Sequence, residues 1–512
     1  MSEIEAGQDF HNPPPPPGST RDAVQADAPE LLPILDAQPD IRLYTRSHPR
    51  FADLARIRRE VTDMAPPLAI ARPTNEAEII AVVRHCGEEK GVGAPLAIRS
   101  GGNDMGERSR SDGGVVIDVR SLDHMVLAAD RQSVRLGGGV NLGSLLKFLD
   151  SHALDAPCGW GYEVGYVAWA CGGGYGLECG AQGLGVDQIL GGRIVTSSGR
   201  VLEAGPPRDD EKGRDDAEAA DVWWALRGGG AGVIGVVSEL TIKVYPRPRA
   251  IAGYVWFPLS EAETVFGNMG KLYQEDFPDN FAGEVFVINP FNNGGTINHF
   301  FWWQLKDDGS DLEQAKAYHE RLTQCGTVIH DTVRDKDGNY NETTPHDFLF
   351  SIAIPSRNSG RGSTVVSATL PSFSAELGAI LARNPLPTEH SSFVLHNCHG
   401  RGTRIDSTAA FGNRQQHILI GIAVQFDEAD QEHVAQARSW PNDVYKELQE
   451  AGLLTDWKYV NFNAPEKGDG KMYLGHEGVK RMMRVKDKWD PKGLFQRCTP
   501  DLGLETPMHG FT

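Results

Sequence analysis

The sequence predicts an α+β molecule built as two lobes, and three observations carry that prediction. Between residues 42 and 245, short apolar runs alternate with glycine-rich turns and amphipathic helices. From about residue 250 the runs lengthen and become aromatic ("GYVWFPL", "HFFWWQL", "HILIGIAVQF"), mixed with helical patterns such as "AELGAILARN". That change reads as a second lobe around an antiparallel sheet. Finally, 512 residues exceed what one compact core usually serves.

Taken in order, residues 1–40 read as a disordered or extended tail, since the first twenty are poor in apolar residues and Pro13–Pro17 favours polyproline II. "PLAIARPTNEAEIIAVVRHCGEEKG" then gives a strand, a Thr/Asn cap and an amphipathic helix. "APLAIRSGG" and "GGVVIDVRSL" are short buried strands, and "SVRLGGGVNLGSLLKFLDSHAL" repeats strand, glycine turn and helix. "GGRIVTSSGRVLEAG" is a hairpin turning at Ser197, Ser198 and Gly199. The alternating strand in "GVIGVVSELTIKVYPRP" closes the first lobe, and Pro246 and Pro248 mark its boundary. No internal repeat is visible.

A formal net charge of -19 argues against a nucleic-acid or anionic-membrane partner. No apolar run approaches the length of a membrane span, and the N-terminal stretch lacks the basic and apolar parts of a secretory signal. Seven scattered cysteines without ligand spacing predict reduced thiols, a cytoplasmic setting and no metal centre.

Gly230-Ala-Gly232-Val-Ile-Gly235 satisfies GxGxxG, but it runs straight into a strand, whereas the dinucleotide fingerprint opens a helix. Three other stretches are more informative: "RSGGND" (99–104), "VGYVAWACGGGYGLECGAQGLGVDQIL" (164–190) and "RGGGAGVIGVVSEL" (227–240). Each sets several glycines beside apolar strand residues. Such turns let successive backbone N–H groups approach an anion without Cβ interference.

These stretches, together with "GGVVID" and the C-terminal "KYVNFNAPE" and "YLGHEGVKRMMRVKDKWDPKGLF", resemble the berberine bridge enzyme-like oxidases of the vanillyl-alcohol oxidase / p-cresol methylhydroxylase superfamily. The likeness is strong over 42–245 and 456–496 and weaker in the middle, where "HGRGTRIDSTAAFGNR" carries it. It implies a p-cresol methylhydroxylase-type FAD-binding domain (41–248), an α/β substrate domain with an antiparallel sheet (249–455), and a C-terminal segment (456–512) returning to the first domain.

The resemblance implies FAD contacts from Arg99, Ser100, Gly101, Gly102, Asn103, Asp104 and Gly106. From the second stretch it implies Val164, Gly165, Gly172, Gly173, Gly174, Tyr175 and Gly176, and further along Asp187, Ile189, Val237, Tyr459 and Asn461. Asn103 stands where many relatives carry a flavin-linked histidine, and Gly161 where they carry a flavin-linked cysteine, so the expectation is FAD held without a covalent bond. Cys158 and Cys171 are off register for that link. Tyr166, Ala168 and Trp169 replace the small residues usual there, so Tyr166 and Trp169 are expected to shape the substrate pocket. Val164 occupies the position that governs oxygen access and favours an oxidase.

The activity implied is hydride transfer from a small, secondary-metabolite-like substrate to FAD, with O2 as acceptor and hydrogen peroxide as product. A carbohydrate oxidase, or a scaffold for a non-redox cyclisation, are the alternatives. Tyr459 and His399 are the candidate catalytic groups, and His396, Asn397 and Gln425 candidate pocket residues on neighbouring strands. Strand alternation puts His396 and Cys398 on one face and Asn397 and His399 on the other.

Overall fold

A computed structural model of the chain describes residues 15–57, 65–88, 96–104, 108–206, 214–289, 294–352, 362–427, 430, 433–463, 466, 468–496 and 500–503. Gly106, one of the expected cofactor contacts, lies outside these residues.

The first lobe holds two sheets. One has four strands in the order Arg42–Thr45, Ala69–Arg72, Val115–Asp118, Ala97–Arg99, with the last three parallel. Its helix, Glu76–Gly87, starts at Asn75, whose side chain accepts the Glu78 N–H, while the Glu78 carboxylate reaches back to the Thr74 N–H. Ile79, Val82, Val83 and Cys86 fall on one stripe and are buried against the sheet. The second sheet is antiparallel, ordered Met125–Leu127, Ser133–Gly137, Gly235–Lys243, Ile189–Thr196, Val201–Ala204. Its last pair is the hairpin expected at residues 197–199.

The N-terminal stretch departs from the extended reading. Residues Arg21–Asp27 and Leu32–Ala37 are helical, the first capped by the Thr20 hydroxyl, and Val24, Leu31 and Ile34 enter the same core as Val82. The apolar residues at 24, 28, 31 and 34 carry a helical spacing that the preceding proline run overshadowed in composition.

The second lobe is one eight-stranded antiparallel sheet. Its centre runs Ala250–Pro258, Thr296–Gln304, Phe281–Ile288, Ser392–Cys398, His417–Phe426, Gly362–Leu370. Helices including Ala262–Glu275, Leu312–Thr323, Ala375–Arg383 and Val434–Glu450 cover one face, where Phe281, Val285, Phe301, Leu395 and Ile420 are buried. The opposite face, with Ala282, Phe286, Phe300 and Trp302, packs into the core of the first lobe. The functional groups lie where the two lobes meet.

The chain finally returns to its start. In the helix Lys471–Trp489, Met482, Val485 and Trp489 share a core with Val222 and Trp224. The Ser197 hydroxyl donates to the Trp489 carbonyl, and the Leu96 N–H to Leu494. No helix among the described residues is long and apolar enough to cross a membrane.

Candidate active site

Where the strand Ala97–Arg99 ends, the backbone bends through Ser100, Gly101 and Gly102, the last at φ +71°. A Cβ at Gly101 would stand 2.3 Å from the Glu163 carbonyl and 2.6 Å from the Gly165 nitrogen, so this turn presses directly on the 163–165 segment. The Ser100 hydroxyl donates to the Gly138 carbonyl, tying in a third turn. Asn103 holds the junction: its amide donates to Glu163 (2.8 Å) and Gly101 (3.2 Å) carbonyls. The N–H groups of Gly101, Gly102 and Asn103 find no acceptor among the described residues. Three unanswered backbone donors in a glycine bend are the donor set that an anion such as the FAD diphosphate would need.

Other expected contacts brace this cradle. Arg99 is buried and gives its guanidinium to the carbonyls of Leu54, Ala55 and Ser109. Burial brings its pKa down to about 10. Asp104 pairs with Arg108, which also donates to the Asn463 carbonyl and so joins the cradle to the C-terminal segment. Val164 and Gly165 lie beside Ser100, with the Val164 carbonyl taken by the Leu142 N–H. The Val237 carbonyl abuts Gly138, where a Cβ would come within 2.2 Å. Asp187 caps its own turn at the Leu184 N–H and pairs with Arg414, and the Ile189 carbonyl accepts the Trp223 indole.

The second cluster forms around Gly172–Gly176. The Tyr459 hydroxyl accepts the Gly174 N–H (3.3 Å) and the Asn461 amide (3.0 Å). A Cβ on Gly172 would strike Asn461, and one on Gly173 would strike Phe411. Gly176 is pressed against the Cys158 carbonyl. Tyr175 meets Tyr459 edge-on, ring centroids 4.9 Å apart. Its hydroxyl lies 2.7 Å from His417 Nε2. His417 Nδ1 points at the Gln415 carbonyl at 2.7 Å, which fixes the tautomer: Nδ1 carries the proton and Nε2 accepts from Tyr175. Burial brings His417 down to about 4 and pushes Tyr459 up to about 12, so the first stays neutral and the second stays protonated near neutral pH.

His396 joins this group. Its ring lies 6.1 Å from Tyr175 and 6.0 Å from Phe462, and Nδ1 stands 2.9 Å from Glu284 Oε2. The Trp160 indole N–H donates to the same oxygen. Three buried acids sit close by: burial lifts Asp155 to about 7 and raises Glu178 well above its ordinary value, with the charges of Asp155 and Glu284 adding to the rise at Glu178. Burial pushes the Cys171 thiol up to about 12 and, with those carboxylates, raises Cys158 well above its ordinary value, which disfavours the reactive thiolate.

Several expected residues are not brought together here. His399 leaves the strand on the other face, stacked on Phe277 at 3.8 Å, with Nε2 directed at the Phe281 (2.9 Å) and Pro278 (3.2 Å) carbonyls. Its ring is committed to packing and to these carbonyls, and burial holds it down at about 4. Asn397 also faces the helices, donating to the Gly283 carbonyl. Gln425 shares the face of His417 but stands eight residues further along the strand, roughly 26 Å at ~3.3 Å per residue. Tyr166 and Trp169 are buried in the first lobe, where the Trp169 indole holds the Tyr175 carbonyl at 3.2 Å. They support the tyrosine loop from behind and do not line the sheet face.

Glu284 and His417 were invisible in the sequence. Each is one polar residue inside an apolar strand run, and its partner comes from a separate stretch of chain. Beside Phe411, a cleft of about 480 Å³ opens between Trp224, Arg414, Trp457 and Arg481.

Comparison with known proteins bears on this site. Residues 67–205 match the FAD binding domain family. The chain is 32% identical over 472 residues to the FAD-linked oxidoreductase aurO of Gibberella zeae, spanning 91% of this chain and 86% of that protein. Among solved structures, 6-hydroxy-D-nicotine oxidase from Arthrobacter nicotinovorans superposes with a TM-score of 0.75 at 22% identity, covering 89% and 96% of the two chains. A berberine bridge enzyme variant superposes at 0.76 with 16% identity, covering 92% and 99%.

Proposed function

Because this chain belongs to the FAD-linked oxidoreductases and is an FAD-dependent oxidoreductase, we propose that it oxidises a small aromatic metabolite with FAD held without a covalent link. The observation that carries this reading is the run of N–H groups at Gly101, Gly102 and Asn103 that no described residue accepts from. FAD, when bound, supplies a two-electron acceptor for hydride.

The chain's own residues do the rest. Gly101, Gly102 and Asn103 would hold the diphosphate through their N–H groups, and the Asn103 amide is committed to the Gly101 and Glu163 carbonyls. Tyr459 keeps its proton and acts as a hydrogen-bond donor, since its oxygen already accepts from Gly174 and Asn461. Tyr175, Phe286, Phe411, Phe462 and Trp160 supply the aromatic surroundings. O2 as final acceptor rests on the small side chain of Val164. A cytoplasmic setting is supported by six buried free cysteines among the described residues.

The test is acid precipitation of the yellow protein followed by anaerobic mixing with aromatic alcohols and amines. Flavin in the supernatant and bleaching of its visible band are expected. Yellow retained in the pellet overturns the non-covalent assignment, and a protein that cannot be loaded with FAD overturns the whole reading.

A further inference from the structure

We propose that Glu284 and His396 form the proton-accepting pair of this site, with His396 Nε2 taking the proton from an O–H group of an aromatic substrate. The proposal rests on the oxidoreductase reading above and adds the base that it lacks.

The placement follows from strand register. Val285 pairs with Leu395 and Phe286 with Val394, so Glu284 and His396 stand directly across from each other on the sheet face turned to the first lobe. Glu284 is 1% exposed, so its carboxylate is well shielded from water. The carboxylate is fixed by Trp160 and set 2.9 Å from Nδ1. Nδ1 is sealed from solvent on the Glu284 side, and no described residue hydrogen-bonds Nε2. A buried carboxylate beside one ring nitrogen and an uncommitted second nitrogen is a pairing that lets histidine take a proton and hold the resulting charge.

The titratable groups facing this ring are Glu284 from its neighbouring strand, Cys398 from its own strand, and Tyr175 from the glycine-rich turn, and the Glu284 charge in turn raises Glu178. Phe286 and Phe462 flank the ring at 6.5 and 6.0 Å. Aromatic flanks of this kind favour a planar, hydroxylated substrate.

In the step, the substrate O–H bond breaks, its proton bonds to Nε2, and the electron pair stays on oxygen. A C–H bond conjugated with that oxygen, on the carbinol carbon of a benzylic alcohol or the para-benzylic carbon of a phenol, would then lose its hydrogen with both electrons to FAD as the two-electron acceptor. That leaves an aldehyde or ketone in the first case and a quinone methide in the second. The imidazolium that remains is balanced by the Glu284 carboxylate.

The experiment uses para-nitrophenol on the FAD-loaded protein, at a pH where the free compound is the colourless phenol. The native protein is expected to bind it as the yellow phenolate. In His396→Gln the ligand should stay bound but colourless, its apparent pKa raised by at least about one unit, a tenfold change in proton affinity. Glu284→Gln should shift in the same direction. Phenolate unchanged in His396→Gln, binding to the native protein only as phenol, or no saturable binding would each overturn the proposal. Flavin content of the same samples reports separately on the FAD reading, so the two fail distinguishably.

Discussion

Asn103 directs its amide at the carbonyls of Gly101 and Glu163, so its contribution to the cofactor is to hold two turns together. Replacing it with alanine leaves the Glu163 carbonyl unanswered and loosens the cradle. About 1.4 kcal/mol, or tenfold weaker FAD binding, is expected by flavin fluorescence titration. Tyr459→Phe removes a hydroxyl that two donors have already aligned. The rate of flavin reduction should drop by roughly 10²-fold, the cost of losing one preorganised donor, while flavin stays bound. At this scale the sequence was legible where residues act through backbone shape, as at Gly101 and Gly172. It was opaque where they act through partners, as with His417 on Tyr175, because a lone histidine in "RQQHILIGI" carries no sign of what it will face.

Among the elements, the short strand Leu154–Asp155 places a carboxyl in the interior, with Oδ2 unpartnered. Burial lifts that carboxyl from 3.8 to about 7, so the folded protein binds a proton that the unfolded chain has released. Its contribution is therefore fully present below about pH 4 and is lost as pH rises through 7. Asp155→Asn, which cannot ionise, should be more stable than the native protein to urea above pH 7, the gap closing towards pH 4. The 404–416 stretch is pinned to the first lobe by Arg227–Asp406 and Arg414–Asp187. Arg414→Ala strands the Asp187 carboxylate and should cost about 3 kcal/mol, read as a lower denaturation midpoint. The helix Glu76–Gly87, the hairpin at 197–199 and the adjacent strands Ser392–Cys398 and His417–Phe426 were all readable from periodicity and turn residues. The helices at 21–37 were missed because a proline run set the composition of their neighbourhood, and Asn397 showed that sharing a strand with a site residue does not mean sharing its face.

For the molecule as a whole, the two-lobed plan was legible because glycine turns and long aromatic strands occupy different halves of the chain. The site was only partly legible, since it forms between those halves. FAD, if held at the Gly101–Asn103 turn, should stabilise the folded chain: at a hundredfold excess over its dissociation constant, about 2.7 kcal/mol, seen as a higher unfolding temperature. Tyr459 and Asn461 reach Gly172–Gly174 only after the chain has finished the second lobe and turned back, and the helix Lys471–Trp489 anchors that return. A nascent chain leaving the ribosome therefore carries the phosphate cradle long before it carries the tyrosine. A chain ending before residue 459 would lack the Tyr459 contact to Gly174 and also Met482, Val485 and Trp489 of the first-lobe core, so the last part of the chain to be made completes the fold of the first.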